Sequence, residues 1–345
     1  MDFGWFEKQR RATLESMDGL AKSPGWRIRL AVWGLFAVAG CGGARHCGGH
    51  PESGNDGPAR RPRTRPATET STFPRRGAAG SRRVTQADLD KRVAALRKKL
   101  DDRFSFFVHK PFVAAGDVGR TRLKRYVAQS VIHPAQAMWA SYFDKKPTDV
   151  ITVLLFDGQR SYRQWAAALF GDRKVSYFGY YRFNNRTLVM DIGTGSGTLI
   201  HELTHALIMY DFPQVPTWFN EALASLHEAC YVYPDRLVGT LNWRLPGLKK
   251  ALADGTLRPL RALVTKRDFT GKQMGLNYAQ ARYFALYLQK QKKLKAFYVR
   301  FRDSYTPEKP NDVEIIEAVL KKKIAVVDTA YRRWVAGLKA PRAGQ

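Results

Sequence analysis

His201-Glu202-Leu203-Thr204-His205 is the segment whose residue types and spacing point most directly to chemistry. On a helix, residues four apart lie on one face one turn from each other, so both imidazoles can reach a single ion. Glu202 projects from the next position, where a carboxylate can take a proton from water polarised by that ion. Two imidazoles and an adjacent carboxylate therefore predict a zinc-dependent hydrolase. A catalytic zinc takes three protein ligands and keeps one position open, so a third ligand must come from elsewhere. Glu221 lies sixteen residues after His205, room enough for a helix end, a loop and a returning helix. Asp211, His227 and Glu228 are rival candidates.

The two blocks, HELTH and the later WFNEALASLHE (Trp218–Glu228), resemble the gluzincin metalloproteases of the peptidase-MA-like type. The resemblance covers residues 150–305 and is specific in three short blocks. It implies a zincin-like fold, Zn2+ as cofactor, His201, His205 and Glu221 as metal ligands, and Glu202 as general base. It also implies that Glu228 orients a ligand histidine. Ala222 stands where these proteins usually carry Gly, and either is small enough for close helix packing. The third block begins Asn277-Tyr278-Ala279-Gln280. By resemblance Tyr278 donates a hydrogen bond to the oxyanion, with Tyr283 as the second candidate. The strand Arg186–Ile192 is expected to pair with an extended substrate. The Gly-x-Met-Glu-Asn segment with which aminopeptidases hold a substrate amine is not seen, which favours an endopeptidase acting on peptide or protein substrates.

These side chains need elements to position them. Leu89, Val93, Leu96 and Leu100 recur at helical spacing. Phe104–Ala115 reads as a strand, Leu123–Phe143 as a helix, Asp149–Phe156 as a buried strand and Tyr162–Phe170 as a short helix. Tyr177–Asp191 reads as a hairpin turning at Asn184-Asn185. The turn Gly193–Gly197 lacks the Gly-Lys-Ser/Thr ending of a phosphate loop and predicts only a tight entry to a helix over Thr198–Tyr210. Helices are then expected over Thr217–Cys230, Asn277–Gln291, Leu294–Tyr305, Asp312–Lys322 and Asp328–Leu338. Strands early and helices late give an α+β class: a strand-containing first part, the HExxH helix, and a mainly helical C-terminal part.

The domain plan is 1–41 as a signal segment, 42–84 as a basic linker, and 85–345 as the metallopeptidase domain. Residues 30–40, LAVWGLFAVAG, are too short to span a bilayer but follow Lys22, Arg27 and Arg29 and end in small residues, the layout of an export signal. Val38-Ala39-Gly40-Cys41 resembles a bacterial lipobox, which implies a lipidated Cys41 and a protein anchored in the cell envelope. Residues 42–84 are rich in Gly, Pro, Arg, Ser and Thr and hold too little apolar surface to fold alone.

Over all 345 residues, a 44% hydrophobic and 12% aromatic content excludes a wholly disordered chain. Three cysteines exclude a disulfide scaffold and a four-cysteine zinc site. The net charge of +28 is spread over both parts, +8 in residues 1–84 and +20 beyond, so the folded part itself attracts polyanions. Anionic lipid or envelope polymer fits an exported chain better than nucleic acid, for which no recognition motif is evident. A non-catalytic envelope-binding lipoprotein on the same scaffold is the alternative to the enzyme.

Overall fold

A capping box starts the first helix of the described residues. The Thr85 hydroxyl accepts from the Asp88 N–H while the Asp88 carboxylate accepts from the Thr85 N–H, and α1 runs Gln86–Arg97. The structure is a computed structural model that describes residues 83–339 except 267, 268 and 270–272. The expected signal segment, Cys41 and nearly all of the 42–84 linker lie outside the described residues. Every described residue belongs to one unit, Arg75–Gln345.

The single strand expected over Phe104–Ala115 is instead a hairpin of β1 (Ser105–His109) and β2 (Phe112–Gly116). Lys110-Pro111 makes its turn, where a proline lacking an N–H costs the ladder nothing. The helical stretch that follows is divided into α2 (Arg120–Val127) and α3 (His133–Ser141) by a π-helical turn at Ala128–Ile132. Then come β3 (Ile151–Phe156), α4 (Gln159–Phe170), and the hairpin of β4 (Gly179–Arg182) and β5 (Thr187–Asp191), turning at Phe183–Asn185.

The five strands form one mixed sheet in the order β1-β2-β3-β5-β4, with β2, β3 and β5 parallel and the two outer strands antiparallel to their neighbours. All six residues of β3 are buried. Ile151, Val153 and Leu155 enter the main core, while Leu154 and Phe156 enter a second core under α4, as the two-residue period of a strand requires.

Beyond the sheet the chain is helical apart from one small hairpin: α5 (Ser196–Asp211), α6 (Thr217–His227), β6 (Cys230–Val232), β7 (Leu237–Gly239), α7 (Leu245–Ala253), α8 (Leu260–Thr265), α9 (Met274–Lys290), α10 (Leu294–Ser304), α11 (Asp312–Leu320) and α12 (Ile324–Gly337). The α+β class holds. The helix expected over Thr217–Cys230 stops at His227, and Cys230 opens a strand instead. Among the described residues no helix is long and apolar enough to cross a membrane.

Helix α6 is the pivot of the molecule. Trp218, Phe219, Ala222, Leu223, Ala224 and Leu226 are all buried, and α6 packs against α5 and α9. Each leucine so buried contributes about 1.5–3 kcal/mol. Trp218 also donates its indole N–H to Asp312 at 2.6 Å, tying α6 to the C-terminal helices. Helices α5, α6 and α9 carry the three blocks singled out above.

Candidate metal centre

Two local devices set the entry of α5. Gly195 adopts φ +91°, a left-handed conformation that side chains resist. Gly197 lies so close to the end of α6 that an added Cβ would stand 2.3 Å from the Glu228 carbonyl oxygen. Leu199, Leu203, Ala206 and Leu207 are fully buried, which fixes the rotation of α5 and leaves His201 and His205 on the face towards α6.

The three expected ligands converge. His201 Nε2 and His205 Nε2 are 3.1 Å apart. Glu221 Oε2 is 3.6 Å from the first and 3.5 Å from the second. Tetrahedral bonds of 2.0–2.1 Å space their ligand atoms about 3.3 Å apart. The triangle therefore has the size a divalent ion needs. Glu221 Oε2 is buried with no hydrogen-bond partner and faces the two ring nitrogens, so its charge is offset by a proton on His205 in the metal-free protein and could be offset by a cation in its place. His201, His205 and Glu221 thus form a cluster that could hold a metal ion. Their side chains keep 13, 8 and 15% of their surface exposed, so the cluster is enclosed yet reachable from solvent.

Asn220 was not singled out from the sequence. Its Oδ1 accepts from His205 Nδ1–H at 2.8 Å, fixing the tautomer that leaves Nε2 free for an ion. The only sequence signal for it was its place beside Glu221.

The rival ligands lie elsewhere for identifiable reasons. Asp211 is buried at the far end of α5, accepting from the Asp144 and Lys145 backbone N–H groups, the Tyr298 hydroxyl and Arg302. His227 is buried between Thr204 and the Tyr142 hydroxyl. Glu228 does not orient a ligand histidine as expected. It caps α6 with its backbone still helical, its N–H on the Ala224 carbonyl, but its carboxylate is taken by the Arg244 guanidinium at 3.2 Å. Tyr283 is also excluded from the site, since its hydroxyl holds the Asn242 backbone. Tyr278 is half-buried on α9, with its hydroxyl against the Glu221 carboxylate.

The strand expected to receive substrate is misplaced by one position. Arg186–Ile192 contains β5, which is paired on both sides, by β3 and β4. The edge is β4, and it packs against α5. The Tyr181 backbone N–H on β4 supports the Glu202 carboxylate.

Electrostatics within the cluster follow from burial and from one carboxylate. Burial opposes charge on His205, but Glu221 beside it prevails and raises the imidazole to about 9. His201, buried and next to that charge, falls to about 3. Burial would raise Glu221, yet the His205 charge holds it below the usual carboxylate range. The metal-free pocket thus keeps one proton among three ligand atoms, which an arriving cation displaces. Burial pushes Glu202 up to about 7, with His205 opposing and Glu221 adding to the rise.

No family model matches the chain, and a search of curated proteins finds nothing similar. The chemistry of the cluster rests on its own geometry.

Proposed function

We propose that the chain is a zinc-dependent, endopeptidase-like hydrolase, on an arrangement that resembles the gluzincins. The observation that carries this reading is the His201, His205 and Glu221 triangle, sized for one ion, with a half-buried Glu202 alongside. Two imidazoles and one carboxylate with a position left over is the donor set of a catalytic zinc. Zinc bound there would supply a Lewis acid that polarises a peptide carbonyl and lowers the pKa of water.

The chain's own groups do the rest. Glu202, held near neutrality by burial, takes a proton from the attacking water and returns it to the leaving amine. Tyr278 keeps its proton and donates a hydrogen bond to the carbonyl oxygen as charge develops there. The outer edge of β4, beside the Tyr181 N–H that supports Glu202, is where an extended substrate backbone would join the sheet. Export, with anchorage through Cys41 at an envelope membrane, belongs to the same proposal and rests on the lipobox-like segment.

The test is hydrolysis of an unfolded protein by the wild type, by the chelator-treated protein and by Glu202→Gln. The wild type cuts and the chelated protein does not. Glu202→Gln keeps its zinc and loses about 100-fold or more in rate. Undiminished cutting by Glu202→Gln removes the mechanism. Zinc binding with no hydrolysis by the wild type leaves the non-catalytic envelope-binding alternative.

A further inference from the structure

The segment between β7 and α7 carries an arginine that the proton-transfer account does not use. One Nη of Arg244 donates to Glu228 Oε2 at 3.2 Å. Its guanidinium lies 5.7 Å from the Trp243 ring centre and 6.0 Å from that of Tyr278. Both distances are within the range of cation–π attraction. Tyr278 in turn touches Glu221, so this positive head stands at the rim of the metal cluster. Its charge is felt at His201.

The backbone that carries it is held in place. The Arg244 backbone N–H donates to Asn242 Oδ1 at 3.1 Å, and the Asn242 N–H donates to the Tyr283 hydroxyl on α9, also at 3.1 Å. Yet the head is under-used. A guanidinium has five N–H donors. Glu228 takes from one Nη and Nε is buried without a partner, so the donors open to a ligand are on the Nη groups of a side chain that keeps 22% exposure. Arg282 also leaves one Nη unpartnered, but it is wholly buried, with its Nε and other Nη on the carbonyls of Ser225 and Thr240, so what sets Arg244 apart is its exposure at the rim of the cluster. Trp243, 53% exposed, adds an apolar wall beside Arg244.

We propose that Arg244 is a specificity-determining residue that binds a carboxylate of the substrate, so that the metal site takes acidic peptides. The assignment rests on the peptidase reading and deepens it. A planar fork with spare donors matches a carboxylate, and the partial pairing to Glu228 fixes its orientation rather than satisfying it. The carboxylate can be an internal Asp or Glu side chain or the chain's own C-terminus.

The experiment measures calorimetric binding of matched peptides to the zinc-loaded Glu202→Gln protein, which holds substrate without cutting it. One pair differs by Glu against Gln at a single position, walked along the peptide. The other pair has a free or an amidated C-terminus. At least one carboxylate form binds roughly 10-fold or more tighter than its neutral match. Which pair shows it identifies the source. Arg244→Met, which keeps the stem against Trp243 and Tyr278, abolishes the difference, and Arg244→Ala does the same. Equal affinities in the parent, no binding of any peptide, or a preference that survives either replacement overturns the assignment. Hydrolysis by the otherwise wild-type enzyme is read separately. Loss of the carboxylate preference in KM with cutting of neutral peptides intact confirms Arg244 alone. A wild type that cuts nothing removes the peptidase reading, while the binding arm still decides Arg244.

Discussion

Gly197→Ala would place a methyl carbon 2.3 Å from the Glu228 carbonyl oxygen. Carbon and carbonyl oxygen meet without strain at about 3.3 Å. The start of α5 must therefore part from the end of α6 by about 1 Å, since the obstacle is backbone and cannot swing aside. Overpacking of this kind costs about 1–3 kcal/mol. Alanine's better helix propensity offsets about 1 kcal/mol of that, leaving a net loss of about 0–2 kcal/mol. The displacement falls one turn before His201, whose Nε2 is 3.6 Å from Glu221 Oε2. Opening that gap by about 1 Å takes it well beyond the roughly 3.3 Å that one tetrahedral ion bridges. Metal affinity is then expected to fall about 10–100-fold, the range seen when a ligand's supporting contacts are lost. Denaturant unfolding of the metal-free protein reads the stability, and competition against a chromophoric chelator reads the affinity. Wild-type values in both would refute the close-packed α5–α6 contact as the device that sets the ligand spacing.

Asn220→Ala removes the acceptor that orients His205. A 10–100-fold loss of metal affinity with little change in unfolding midpoint is expected, and unchanged affinity would deny Asn220 that role. His227 supplies a pH dependence. Burial, with the charges of His201 and Arg282 nearby, lowers its imidazole to about 3. The unfolded chain protonates it below about 6.5, while the folded protein does not until about 3. Its contribution to stability is therefore complete above pH 6.5 and is lost as pH falls, by about 1.4 kcal/mol per unit, or roughly 2 kcal/mol by pH 5. The stability difference between wild type and His227→Gln should shrink by that amount from pH 7.5 to 5. A difference that does not vary with pH would show that His227 takes up its proton in the folded state.

The metal cluster was legible because its signal is local. HELTH fixes two ligands by helix geometry alone, and Glu221 sits in a block whose apolar residues declare a helix. What lay beyond reading depended on where chains pass each other in space. Whether β5 or β4 forms the sheet edge is decided by β3 pairing with β5, a contact between residues 35 apart such as Thr152 and Thr187. Glu228 was assigned to a ligand histidine from its place on the helical face of Glu221; its backbone does stay helical as the cap of α6, but its carboxylate is taken by Arg244, whose approach no local pattern announces. Arg244 had no signal of its own, being one basic residue among 58. The Phe104–Ala115 segment misled because an apolar run reads as one strand, whereas Pro111 turns it back on itself. The small hairpin of β6 and β7 escaped because three-residue strands are too short for a period to show.

The central claim is that three side chains grip one cation. Zinc titration of the purified protein against a chromophoric chelator, run in parallel with Glu221→Ala, tests it most directly. One tightly bound equivalent in the wild type, with most of that affinity lost in the variant, is the predicted result. A wild type that leaves all the zinc with the chelator, or a variant that binds as tightly as the wild type, would contradict it.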